Sequence, residues 1–184
     1  MFWEKGKKRL ITCSGREDGA GAQISAAVST ILYARHFGYD YVHTPLTNVA
    51  HFQDGQDPKK WAADWERFFS LGDGEPPAKL HDSLEQHYLR RPHRWRPKAG
   101  KLNFVHHCHK VTDRQAELWS AYRPELRRKF TIHPKPPTST CPEGVRKIGV
   151  HIRRGDVRSD NQFTSRFTPN RRILEVLSRI TKAL

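Results

Sequence analysis

No apolar run in the chain approaches the ~18 residues that a membrane-spanning helix requires, so a helical membrane protein is not expected. Cysteine is scarce. Cys13, Cys108 and Cys141 are odd in number, widely spaced and form no C-x-x-C pair, which suits a reducing compartment better than a disulfide scaffold. The opening Met1-Phe2-Trp3-Glu4-Lys5 has no apolar core after it, so no signal peptide is expected and the protein reads as cytoplasmic. Acidic charge is also short: 19 Asp and Glu face 33 Lys and Arg, leaving a net charge of +14. Such a field attracts polyanions, among them nucleic acid, an anionic membrane face that would hold the protein peripherally, and nucleotide-sugar phosphates. What is present argues for a folded chain. Five Trp, nine Phe and five Tyr exclude wholesale disorder, and 184 residues suit one domain or a domain with a fragment.

The first elements read clearly. Arg9–Cys13 is a short β-type run, followed by a polar, Gly-rich loop from Ser14 to Gly21. Ile24, Ala27, Val28, Ile31, Leu32 and Arg35 recur at helical spacing as one buried stripe, with Gly38 as the C-terminal cap. Tyr39–His43 is a second strand closed by Thr44-Pro45. Strand, helix and strand in this order make a βαβ unit and hence a parallel sheet. The loop Gly19-Ala20-Gly21-Ala22-Gln23-Ile24 fails the dinucleotide fingerprint, because Ile24 stands where the third glycine belongs.

Asp57-Pro58 is a cap and first-turn proline for a helix carrying the aromatic stripe Trp61, Trp65, Phe68 and Phe69, ended by Gly72. A stripe at that spacing is core packing before it is a sugar platform. Leu80, Leu84 and Tyr88 suggest another short helix. Leu89–Lys101 holds Arg90, Arg91, Arg94, Trp95 and Arg96, charge for phosphates and a ring for stacking, as a nucleic-acid arm would use. No nucleic-acid fold signature accompanies it, so an exposed basic loop is the preferred reading. Leu102–His109 is a third strand ending in His106, His107, Cys108 and His109; alternation splits these two per face, short of a tetrahedral site, and no metal is expected. Thr112 with Gln115 forms a capping box for a helix that Pro124 breaks or restarts, with Leu126 and Phe130 on its buried side.

Four prolines in His133–Pro142 mark a linker, which divides the chain into an α/β domain over 1–132, a linker over 133–144 and a second region over 145–184. The second region opens on Lys147–Asp156, K-I-G-V-H-I-R-R-G-D. Ile148, Val150 and Ile152 alternate as a strand that ends in Arg153-Arg154-Gly155-Asp156. Two adjacent guanidinium groups at a strand end repel each other unless an anion lies between them, and a diphosphate matches their forks. A final helix follows Thr168-Pro169, with Ile173, Leu177, Ile180 and Leu184 on one stripe.

The string His151-Ile152-Arg153-Arg154-Gly155-Asp156 resembles the H-x-R-R-x-D motif of the α1,2- and α1,6-fucosyltransferases and their protein O-fucosyltransferase relatives. The Gly19–Gln23 loop looks like the G-x-G-N-Q loop of the α1,2 enzymes, with Ala22 in place of Asn. The resemblance implies a GT-B enzyme: a Rossmann-like acceptor-side domain, then a domain that binds GDP-fucose. It implies inverting transfer to a glycan acceptor without metal or other cofactor. By motif position Arg153 is the catalytic contact to the β-phosphate, and Arg154, His151 and Asp156 bind or orient the donor. Gly19, Gly21 and Gln23 would form the acceptor-side loop. Only Val157–Leu184 follows the motif, so a truncated donor domain is expected. The alternative reading is a basic nucleic-acid-binding protein.

Overall fold

The computed structural model describes residues 8–51, 55–134, 144, 149–150 and 167–183. The chain divides into two units, Met1–Thr138 and Ser139–Leu184. The first is an α/β unit of Rossmann-like kind. Strand β1 (Leu10–Cys13) lies inside a four-stranded sheet with β2 (Asp40–Tyr41) on one side and β4 (Leu102–Val105) on the other; β3 (Gln86–Tyr88) forms the far edge beyond β4. Every pairing is parallel, with Leu10 opposite both Asp40 and Leu102, and Gln86 opposite Leu102. All four residues of β1 are buried, as expected of a strand flanked by neighbours and covered on both faces.

Helix α1 (Ala20–Phe37) returns the chain from β1 to β2 and stops at Gly38, whose left-handed φ of 66° lets its amide turn back to Ala34 O and Arg35 O. The single buried stripe expected for this helix is too narrow. Ala26, Ser29, Thr30, Ile31, Leu32 and Ala34 are all fully buried, because the sheet lies on one side and helices crowd the others. The two hydroxyls are accommodated by donating to Ala26 O at 2.8 and 2.9 Å, and Ser29 Oγ also accepts the Cys108 amide at 2.9 Å.

Asp57 caps α2 (Pro58–Phe69) as its sequence predicts, accepting the Lys59 amide at 2.9 Å. Trp65 stacks on Phe69, and Phe68 and Phe69 meet Phe130 at ring distances of 5.4 and 5.8 Å, so the aromatic stripe packs against the next long helix. The helix stops at Ser70, in the left-handed region at φ 51°, and not at Gly72. Gly72 has another use: a Cβ there would collide with the His43 ring.

Four further expectations need correction. Leu80, Leu84 and Tyr88 do not share a helix. A 3-10 turn (Ala78–His81) follows two prolines, and Tyr88 belongs to β3, where pairing with β4 overrides the local pattern. The Thr112–Gln115 capping box does not form: Thr112 ends the short α3 (His109–Thr112), and α4 (Ala116–Thr131) starts after Gln115 with no side-chain cap. Pro124 lies inside α4 without ending it, in a helix fastened near its start by the Trp119 indole N–H donating to Thr112 O at 3.1 Å. Near the end of α4 the buried side chain is Lys129, 1% exposed, while Phe130 is 38% exposed. Lys129 Nζ donates to Leu71 O at 3.1 Å and pairs with Glu75 at 2.9 Å. Glu75 also receives Arg35 at 2.6 Å, and Arg35 reaches Glu125 at 3.1 Å.

In the second unit, α5 (Asn170–Ala183) is an amphipathic helix, with Arg171 and Arg172 paired to Glu175 at 3.1 and 3.3 Å. No helix among the described residues is long and apolar enough to cross a membrane.

Candidate functional site

Because the four strands are parallel, their carboxyl ends share one edge, and the segments that follow them gather there. Ligands of open parallel α/β sheets bind beyond that edge. A small cavity of about 70 Å³ opens beyond β1 and β2, lined by Arg16, Gln23, His43, Thr44 and Glu66 among others.

His43 follows β2 directly. Its Nε2 lies 2.7 Å from Glu66 Oε1 on α2, and its Nδ1 lies 3.2 Å from the Tyr41 hydroxyl. Glu66 also accepts the Leu46 amide at 3.1 Å through its other oxygen. Burial pushes the Glu66 carboxyl up, but the His43 bond and charge and the Leu46 amide outweigh it and hold it below its ordinary value. The ionised carboxylate only accepts, so His43 donates through Nε2. Nδ1 lies beside the Tyr41 hydroxyl, which burial keeps protonated. The result is a connected chain, Tyr41–His43–Glu66, that fixes one imidazole orientation beside the cavity.

Arg16 binds Asp18 through both carboxylate oxygens. That bond is the largest cause of the lowered Asp18 pKa, and burial opposes it. Thr12 and Thr44 join their hydroxyls at 2.7 Å across β1 and β2. The cavity is thus lined by groups whose charges are matched within the fold.

Of the predicted acceptor-side residues, Gln23 lines this cavity, whereas Gly19 and Gly21 do not. Gln23 is buried, and its Nε2 donates at 2.6 Å to both Asp18 O and Asn48 O, fastening the loop after β1 to the loop after β2. Gly19 is the N-cap of α1, and Gly21 sits in its first turn with open space around it. The donor-side residues His151, Arg153, Arg154 and Asp156 lie outside the described residues.

His106, His107 and His109 follow β4, but no group of three metal-ligating side chains occurs among the described residues. His107 stacks on His109 at 4.9 Å and Tyr88 meets His106 edge-on at 5.2 Å, so the imidazoles pack as rings. Cys13 and Cys108 are free and buried, and burial raises their pKa values to about 11 and about 12, which keeps both as thiols.

Sequence reasoning placed His43 only at the end of the second strand and missed Glu66. The available signal was a carboxylate one helical turn after the buried Ala62, among the aromatics of α2. No family model, curated protein or solved structure matches the chain.

Proposed function

We propose that the protein is a GDP-sugar-dependent glycosyltransferase that moves fucose from GDP-fucose to a glycan hydroxyl with inversion, in the cytoplasm. The observation that carries this reading is the string His151–Asp156, paired arginines at a predicted strand end after a Pro-rich stretch. Charge grows on the β-phosphate as the glycosidic bond breaks, and guanidinium groups that bind it more tightly toward the transition state accelerate that step. Arg153 is assigned the β-phosphate contact and Arg154 the diphosphate. His151 hydrogen-bonds the donor, and Asp156 orients the turn. The parallel α/β unit supports the reading in general terms, since Gln23, His43 and Glu66 line a polar cavity suited to a hydroxyl-bearing acceptor.

Calorimetric titration of the chain with GDP and GDP-fucose, beside the Arg153→Ala variant, tests the assignment. Wild-type binding that the variant loses, with turnover lowered about 10²–10³-fold where transfer is measurable, is the expected result. Equal binding by both forms, or none by either, removes this reading.

A further inference from the structure

The cavity beyond β3 and β4 is unlike the one beyond β1 and β2. It measures about 420 Å³ and is lined by the run from Tyr88 to Arg94 together with His106, His107 and Lys110, with no carboxylate among the lining residues. We propose that it binds a small phosphorylated molecule, of the size of a sugar monophosphate, through Arg90, Arg91, Arg94 and Lys110. The inference stands apart from the fucosyl-transfer reading.

Charge is the first argument. Among the described residues, no ion pair involves any of these four cations, whereas Arg16, Arg35, Arg128 and Lys129 of the same unit all have carboxylate partners. The fold brings these four cations to the lining of one cavity. The amides of Arg94 and Trp95 both donate to Arg91 O at 2.9 Å, closing a single turn that brings Arg91 and Arg94 together. Gathered guanidinium groups repel each other, and a multiply charged anion offsets that repulsion. Several guanidinium forks suit the three oxygens of a phosphomonoester, where a carboxylate engages one.

The second argument is the scaffold. β3 and β4 are parallel neighbours, so the chain between them must run back from one edge of the sheet to the other, and it does so without a helix. That return is tied to the core along its length. The Tyr33 hydroxyl donates to Pro92 O at 3.2 Å and Arg9 Nε to Pro97 O at 3.1 Å. The fully buried Asn103 donates to Lys98 O at 3.0 Å and accepts the Lys98 amide at 2.9 Å. The backbone that carries the arginines is therefore fixed before a ligand arrives, which lowers the ordering cost below that of a loose basic arm.

His107 also lines the cavity. Burial, then the charges of His109 and Arg16, hold its pKa below the ordinary value, which favours the neutral ring. A neutral imidazole can donate to a phosphate oxygen or accept from a sugar hydroxyl. The volume separates a small ligand from a polymer. It falls within the ~300–1,000 Å³ of small-molecule sites, and single-stranded nucleic acid needs an extended track with successive stacking platforms.

Calorimetry of the full chain with inorganic phosphate, glucose 6-phosphate and a single-stranded oligonucleotide, at low and moderate salt, decides the matter. The wild type is expected to bind glucose 6-phosphate more tightly than inorganic phosphate. The Arg91→Gln/Arg94→Gln double variant should weaken binding by about tenfold or more. Lys110→Gln should weaken it less, and Arg153→Ala not at all, which separates this site from the proposed donor site. Circular dichroism confirms that the variants fold. No binding at millimolar phosphate ester, or binding unchanged in both the double variant and Lys110→Gln, overturns the proposal. Oligonucleotide binding tighter than that of the sugar phosphate, with the steeper salt dependence, assigns the cavity to nucleic acid and overturns it as well.

Discussion

Two cavities at the carboxyl edge of one sheet handle charge in opposite ways. Beyond β1 and β2, His43 faces Glu66 and Arg16 faces Asp18, and deeper in the unit Lys129, Glu75, Arg35 and Glu125 form a continuous network. Beyond β3 and β4, Arg90, Arg91, Arg94 and Lys110 line a cavity with no carboxylate. Removing a partner from the first region strands a charge that the fold has desolvated. Removing a cation from the second relieves repulsion among exposed groups. The high net positive charge is thus not spread evenly over these two regions. One region uses charge to hold the fold, and the other presents it to solvent.

The comparison can be broken most forcefully at the buried pair. Glu75→Gln leaves Lys129, 1% exposed, without its carboxylate, and should lower stability by ~3–5 kcal/mol in urea unfolding. Lys129→Met should cost less, because Glu75 keeps Arg35 at 2.6 Å. Reversal of that order would show that Arg35 does not compensate. An intermediate effect is expected at Gly72. Gly72→Ala places a methyl group against the His43 ring, disturbs the contact with Glu66 and should lower stability by ~1–3 kcal/mol in thermal unfolding. An unchanged midpoint would mean that the ring can move freely. The smallest effect belongs to the basic end, where Arg91→Gln/Arg94→Gln should change stability by no more than ~0.5 kcal/mol even as anion binding falls. A loss of several kcal/mol there would make the arginines structural and erase the contrast.

Much of the first half of the sheet is legible in the residues. The apolar run of β1, the helical spacing from Ile24 to Arg35 and the Gly38 cap specify strand, helix and strand by local pattern alone. The second half is not legible in that way. β3 is three residues long, and its parallel neighbour returns without a helix, so neither hydrophobic period nor crossover length announces the pair. The arginines of Leu89–Lys101 were visible as a basic loop; their tethering was not, because it depends on Tyr33 and Arg9, far away in sequence. Lys129 has the same character. A lysine on a helix reads as solvated, and only its bond to Leu71 O, 58 positions away, places it inside. Gln23 was singled out for its loop, and its position beside a cavity follows. The fastening role it plays there needs the loop after β2, which local pattern cannot supply.

The order of strands in this sheet also sets a timetable. β1 is the first strand made, yet one of its two neighbours is β4, and Asn103, which donates to Leu10 O, lies 93 positions later. At a synthesis rate of ~5–20 residues per second, Leu10–Cys13 waits several seconds or longer before that neighbour exists. Contacts at such separation also slow folding after release, since long loops must close before any pairing rewards them. A nascent chain halted before Val105 therefore exposes an apolar strand with an open side, where another chain can pair.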